Sequence, residues 1–227
     1  MALGKTGIIV AARTNSSRLP GKALLPLGGM PMILLLLARL KDMRRAEAVF
    51  ATTQLASDDR LAETVAAAGV PVFRGSANDL VARYSAAAAQ FGFDTVGRVT
   101  GDCPFVDAEM VDDCLNQAAA LEGFDLATTK GRFPVGLDIE IYPVSVMAQL
   151  NAKTDLTESH REHLTLYMYD HKQSFDIRAL QPPATWPKTE RNFTVDTAAD
   201  YEHAANLLDK SGDPHASIPD LIKRAIA

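Results

Sequence analysis

Two hydrophobic periodicities divide the chain. Up to about residue 128, short continuous apolar runs alternate with longer stretches in which apolar side chains recur every three or four positions. Residues 7–12 (GIIVAA) form a continuous apolar run, as in a strand covered on both faces. A polar loop, 13–22, follows, and residues 32–43 predict a helix with Pro31 suited to its first turn. The same rhythm continues with strands at 48–51, 70–73, 95–99 and 126–128. Between them lie helices at 58–68, closed by Gly69, at 79–90 and at 107–121. In the last of these, Met110, Val111, Cys114, Leu115, Ala118 and Leu121 have the spacing of one buried face. A βαβα rhythm of this kind predicts an α/β fold with a doubly wound, mostly parallel sheet between two helical layers.

After residue 130 the pattern changes. Residues 137–142 alternate strictly, with Leu137, Ile139 and Ile141 on one face and Asp138 and Glu140 on the other. Asp155, with Glu158 three residues on, predicts a helix running to about Tyr169. Residues 175–180 and 193–195 are strand-like, and 197–209 predict a helix. No internal repeat or low-complexity tract occurs, so the expectation is one domain, 1–227, with 130–180 as an elaboration on its sheet.

Composition narrows the function classes. The 227 residues are 47% hydrophobic and 22% charged, enough apolar side chain to bury a large core. The net charge of −5 argues against a nucleic-acid binder, which needs a clustered basic face. The charge is uneven, however. Residues 1–41 carry Lys5, Arg13, Arg18, Lys22, Arg39 and Lys41 and no acid, which points to a small anionic ligand held at one place. The most apolar stretch, 30–37, is too short and too broken by Gly and Pro for a membrane span. Two cysteines, Cys103 and Cys114, form neither a disulfide framework nor a zinc motif and suit a reducing compartment. No signal-peptide pattern opens the chain, and the expected location is the cytoplasm.

The loop 11–22 reads Ala11-Ala12-Arg13-Thr14-Asn15-Ser16-Ser17-Arg18-Leu19-Pro20-Gly21-Lys22. It leaves the carboxyl end of the first strand, where open α/β sheets bind ligands. Three cations, three hydroxyls and free backbone N–H groups suit a polyphosphate; a solvated basic loop is the alternative. It is not a Walker A loop, because Gly4-Lys5-Thr6 precedes the strand, and no G-x-G-x-x-G occurs. Asp102 and Asp196 each follow a strand-like run, so both reach the same sheet edge. Two hard oxygen ligands beside a polyphosphate describe a Mg²⁺ site; for Asp102 the alternative is an Asx-turn before Pro104. Thr197 and Asp200 form their own capping box, which leaves Asp196 free.

The string 11–22 resembles the nucleotide-binding signature of the cytidylyltransferases that activate sugar acids. That family includes the 3-deoxy-manno-octulosonate and N-acylneuraminate enzymes, and the branch named for spore-coat polysaccharide biosynthesis is most alike. Further matches follow in order: Phe73-Arg74-Gly75-Ser76, Arg98-Val99-Thr100-Gly101-Asp102-Cys103-Pro104, Gly136-Leu137-Asp138-Ile139-Glu140, Arg161-Glu162-His163-Leu164-Thr165 and Thr194-Val195-Asp196-Thr197. They span nearly the whole chain. Asn15 departs from the pattern, where many relatives have glycine. The resemblance implies that Arg13 and Lys22 grip the triphosphate of CTP, assisted by Arg18. It puts Ala11 and Ala12 under the nucleoside, with Arg74 and Arg98 near the cytidine or phosphates. It also implies that Asp138, Glu140, Arg161 and His163 line the acceptor pocket, an arginine being suited to a sugar-acid carboxylate.

The function so implied is Mg²⁺-dependent transfer of CMP from CTP to a small acidic sugar, with pyrophosphate released, for surface glycan assembly by a homodimer. A phosphonate acceptor is the nearest alternative. A glycosyltransferase using a nucleotide sugar needs a D-x-D motif, and residues 100–104 hold a single Asp. Cys103 lacks an evident His or Asn partner, and in-line attack on the α-phosphorus needs no covalent intermediate; Cys114 belongs to the core.

Overall fold

The computed structural model describes residues 2–227. Its centre is a seven-stranded sheet, built from β1 (Thr6–Ala11), β4 (Glu47–Thr53), β5 (Val72–Gly75), β6 (Thr95–Thr100), β7 (Leu126–Thr128), β8 (Glu140–Pro143) and β9 (Ile177–Ala179). The spatial order is β5-β4-β1-β6-β8-β7-β9. Every neighbouring pair is parallel except those made by β8, which runs antiparallel to both β6 and β7. A short hairpin, β2 (Pro26–Leu27) with β3 (Met30–Pro31), stands apart.

Alternation along the strands splits the core. Ile8 and Val10 of β1 pack with α1 (Met32–Arg39), α2 (Asp59–Ala67), α4 (Ala108–Ala120), α8 (Ala198–Ser211) and α9 (Ile218–Ile226). Ile9, between them, packs on the opposite face with α3 (Leu80–Phe91), α5 (Val144–Asn151) and α7 (Leu166–Asp170). The short α6 (Glu158–Glu162) follows α5. The result is the expected three-layer, mostly parallel arrangement, and no described helix is long and apolar enough to cross a membrane.

Several expectations change where tertiary contacts intervene. Leu137, Ile139 and Ile141 do share one core face, but the ladder begins only at Glu140. Because β8 lies inside the sheet, Glu140 is buried, on the face opposite Ile139 and Ile141. The helix expected over 155–169 is two helices. Thr157, not Asp155, is the N-cap of α6, with His160 completing its capping box. The break at His163 turns Leu164 and Thr165 inward, and the Thr165 hydroxyl donates to Glu140. The 193–195 segment is no ladder strand. Single backbone bonds, Phe193 N–H to Val135 O at 2.7 Å and Val195 N–H to Asp102 O at 2.8 Å, hold it beside β6. Helix α8 has the predicted Thr197–Asp200 capping box.

Candidate active site

A cleft of about 620 Å³ opens at the carboxyl ends of β1 and β6. The loop after β1 forms one wall. Gly21, with φ near +70°, turns the chain so that Lys22 points back to the sheet edge. Among the described residues no other type adopts positive φ, so Asn15 needs no glycine-like backbone. Gly101 lies on the cleft floor, where a Cβ would sit 2.7 Å from that of Ala12; only glycine lets β6 end this close to β1.

Lys22 organises the charge. Its Nζ donates to Asp196 Oδ1 at 2.9 Å, Asp102 Oδ2 at 3.1 Å and Val195 O at 2.9 Å. Two aspartates 94 positions apart thus meet on one ammonium, and Arg18 reaches Asp196 Oδ1 at 3.1 Å. Burial opposes the charged form of Lys22, but the two carboxylates outweigh it and raise its pKa. Burial likewise opposes ionisation of Asp102, yet Lys22 and the Thr100 hydroxyl hold its carboxyl below the usual range. Two hard carboxylate oxygens converging where a cation already sits is a donor set that fits Mg²⁺ completed by phosphate oxygens. No cluster of three or more such ligands occurs among the described residues.

The remaining expected residues divide. Ala11, Ala12, Arg13, Arg18, Lys22, Arg98, Asp102 and His163 line the cleft. Arg13 pairs with Glu162 at 3.2 Å, tying the basic loop to α6. Arg98 pairs with Glu140 at 2.6 Å; Glu140 also accepts from Thr165 and from the Tyr169 hydroxyl at 2.8 Å. Glu140 therefore supports the cleft floor from behind. Arg74 is not brought to the cleft: it bonds Thr53 O and Leu55 O and pairs with Asp59 at 2.6 Å. Arg161 is drawn away to Asp79, the N-cap of α3, at 2.6 Å. Asp138 is turned back on its own loop, accepting from Gly136 N–H at 2.8 Å, and does not line the cleft.

Two residues carry more than their sequence context suggests. Asp58, read as a helix start, is buried and accepts from Thr14 N–H at 2.7 Å and Thr14 Oγ1 at 2.6 Å, as well as from Thr53. It anchors the beginning of the basic loop. Arg83 lines the cleft from α3 although it is 4% exposed. The one sequence signal for it is a charge set among Val81, Tyr84 and Ala87 on an otherwise apolar helix face. Cys103 is buried among Thr100 and Asp102, and burial, with the Asp102 charge, pushes its thiol well up.

The sequence profile of the cytidylyltransferases matches residues 7–214. The chain belongs to the cytidylyltransferase family. As a cytidylyltransferase it is a nucleotidyl-transferring enzyme. It is 31% identical over 220 residues to the spore coat polysaccharide biosynthesis protein SpsF of Bacillus subtilis, covering 94% of this chain and 91% of that one. A 3-deoxy-manno-octulosonate cytidylyltransferase of Geobacter sulfurreducens is 30% identical over 126 residues, 55% of this chain and 49% of the relative. Among solved structures, a cytidylyltransferase from Leptospira borgpetersenii superposes with a TM-score of 0.90 at 33% identity, over 97% of this chain and 93% of that one. A CMP:2-keto-3-deoxy-manno-octonic acid synthetase complexed with CTP shares the fold, with a TM-score of 0.72 at 22% identity over 91% and 99% of the two chains.

Proposed function

We propose that this cytidylyltransferase transfers CMP from CTP to a hydroxyl of an acidic sugar, releasing pyrophosphate, in surface polysaccharide assembly. The observation that carries the reading is the convergence of Asp102 and Asp196 on Lys22, beside the basic loop, at the carboxyl edge of the sheet. The kinship with SpsF and with 3-deoxy-manno-octulosonate cytidylyltransferase supports the acceptor class.

Nucleotidyl transfer develops negative charge on the leaving pyrophosphate. Fixed cations there, Lys22, Arg18 and Arg13, stabilise that charge without reorganising. Thr14, held by Asp58, sets where the loop's N–H groups point. Asp102 and Asp196 would hold Mg²⁺, which supplies charge neutralisation at the phosphates and lowers the pKa of a nearby hydroxyl. Lys22, held between Asp102 and Asp196, keeps its ammonium at the sheet edge, where it would meet a phosphate oxygen. No covalent enzyme intermediate is needed, in keeping with a buried, neutral Cys103.

The test is pyrophosphate release with CTP, ATP, GTP and UTP against a panel of sugar acids and phosphonates, with and without EDTA. CTP should be used well ahead of ATP and GTP, EDTA should stop turnover, and Asp196→Asn should fold but lose Mg²⁺-dependent activity. Comparable rates with ATP, or release that survives EDTA, would overturn the reading.

A further inference from the structure

Five cations line the cleft: Arg13, Arg18, Lys22, Arg83 and Arg98. Four have carboxylate partners, in Glu162, Asp196, Asp102 and Glu140. Arg83 is the exception among the described residues. It makes no salt bridge, although it is 4% exposed. Its Nε donates to Ser76 O at 2.7 Å and its Nη2 to Ala77 O at 3.2 Å, both neutral carbonyls. Its Nη1 makes no hydrogen bond among the described residues. Of the groups that act on its charge, Tyr84, Asp58 and Asp79 favour it and Arg13 is of its own sign.

A buried charge without a counter-charge is costly, and proteins keep such groups paired or bound to ligand. Burial works against Arg83's charge and Arg13 adds to that; Tyr84, Asp58 and Asp79 offset only part, and its pKa is lowered. A guanidinium also cannot escape by losing its proton at working pH. The cost is recovered when an anion enters the cleft. We propose that Arg83 is an anion-binding residue of the substrate cleft, receiving a carboxylate or phosphoryl oxyanion of one of the two substrates. This deepens the cytidylyltransferase reading and rests on it. Lys22 and Arg18 already face the reaction centre with Asp102 and Asp196, whereas Arg83 stands on the α3 wall. The two backbone bonds fix the guanidinium from one edge and leave the other edge to meet two oxyanion oxygens side by side.

The experiment uses Arg83→Gln and Arg83→Lys in the full-length protein. One arm measures the Kd of CTP and of inorganic pyrophosphate by calorimetry. The second measures KM for the fastest sugar acid of the panel, with 3-deoxy-manno-octulosonate as reference probe. If the oxyanion is the nucleotide's, Arg83→Gln weakens CTP by about 10–100-fold and leaves KM for the acid unchanged. If it is the acceptor's carboxylate, the loss of similar size falls on KM for the acid, and CTP binding stands. In either case Arg83→Lys recovers part of the loss, since it keeps the charge. CTP, pyrophosphate and acid all within twofold of wild type in Arg83→Gln would overturn the assignment. So would equal impairment of both variants with a matching drop in Tm, the signature of a group that only staples the Ser76–Asn78 turn. Should Arg83→Gln fail to fold, nitrogen NMR of the wild type decides. The Arg83 Nε resonance, assigned by its loss in Arg83→Lys, should move on addition of CTP or the acid, and no movement with either would overturn the proposal. A wild type that releases no pyrophosphate from CTP would instead defeat the functional reading, while pyrophosphate binding still reports on Arg83.

Discussion

Arg98 and Glu140 are register partners on β6 and β8, and Arg98 Nη1 meets Glu140 Oε2 at 2.6 Å. Arg98 faces the cleft, while Glu140 is sealed behind it and also bonded by Thr165 and Tyr169. One pair therefore links the sheet's antiparallel strand, the break between α6 and α7, and the cleft floor.

Removing one partner of such a pair strands the other charge. Glu140→Gln should destabilise the protein by about 3 kcal/mol, the lower end for buried pairs because Arg98 keeps part of its side chain in the cleft. Burial opposes ionisation of Glu140, but Arg98, Tyr169 and Thr165 outweigh it and hold its carboxyl below the usual value. Its contribution is thus fully present above the ordinary glutamate pKa of about 4.3 and lost as pH falls through the lower folded value. Urea midpoints from pH 7 to 3 should fall less steeply in Glu140→Gln than in wild type. Parallel slopes would remove Glu140 from the acid transition.

Lys22→Ala should reduce turnover by about 10²–10³, as for loss of one preorganised charge at the leaving group. The loop is exposed but Lys22 is not: its side chain is 13% exposed between two carboxylates. Unliganded stability should therefore also drop, by about 1–3 kcal/mol, since Asp102 and Asp196 are left facing each other. Because the depressed Asp102 carboxyl contributes stability that is fully present above the usual aspartate pKa, the deficit should shrink only as pH falls below that value, through the lower folded one. Pyrophosphate-release rates at pH 7, and urea midpoints from pH 7 to 3, check both; an unchanged rate would leave the loop a solvated surface.

Asp58→Ala removes the acceptor for Thr14 and Thr53, while Asp58 itself forms no salt bridge with a cleft cation. The loop's first residues should lose their fixed position. KM for CTP should rise by about tenfold, with Tm lowered by the unpaired buried hydroxyl and N–H groups. Asp58→Asn, which retains an acceptor oxygen, should recover much of KM. If both variants bind CTP like wild type, the anchoring role is wrong.

Both thiols should be chemically quiet. Burial pushes Cys103 and Cys114 up, so neither holds appreciable thiolate at pH 8. Native protein should resist alkylation by iodoacetamide, read by intact mass, and should react only after unfolding. Cys103→Ser with Cys114→Ala should retain activity, with a stability loss of about 1 kcal/mol from the core position. A folded, inactive double variant would reopen covalent chemistry.

The order of the central-sheet strands and the main helices up to residue 128, the basic loop and the carboxylate pair were legible in the sequence; the short β2–β3 hairpin was not. Periods of two and 3.6 residues, turn residues and caps are local properties, and they survive in any context that covers both sheet faces. What lay beyond reach is pairing between distant side chains. Arg74, Arg98 and Arg161 look alike in the sequence, each beside a matched motif. Only the fold sends Arg74 to Asp59, Arg161 to Asp79 and Arg98 into the cleft floor against Glu140. The alternation over 137–142 correctly placed Leu137, Ile139 and Ile141 in the core, yet it could not tell that β8 lies between two other strands and buries Glu140 too. Arg83 gave no motif at all. Its meaning comes from the absence of a salt-bridged partner among the described residues, and charge balance in a buried site is a sum over the whole tertiary neighbourhood rather than a property of any one segment.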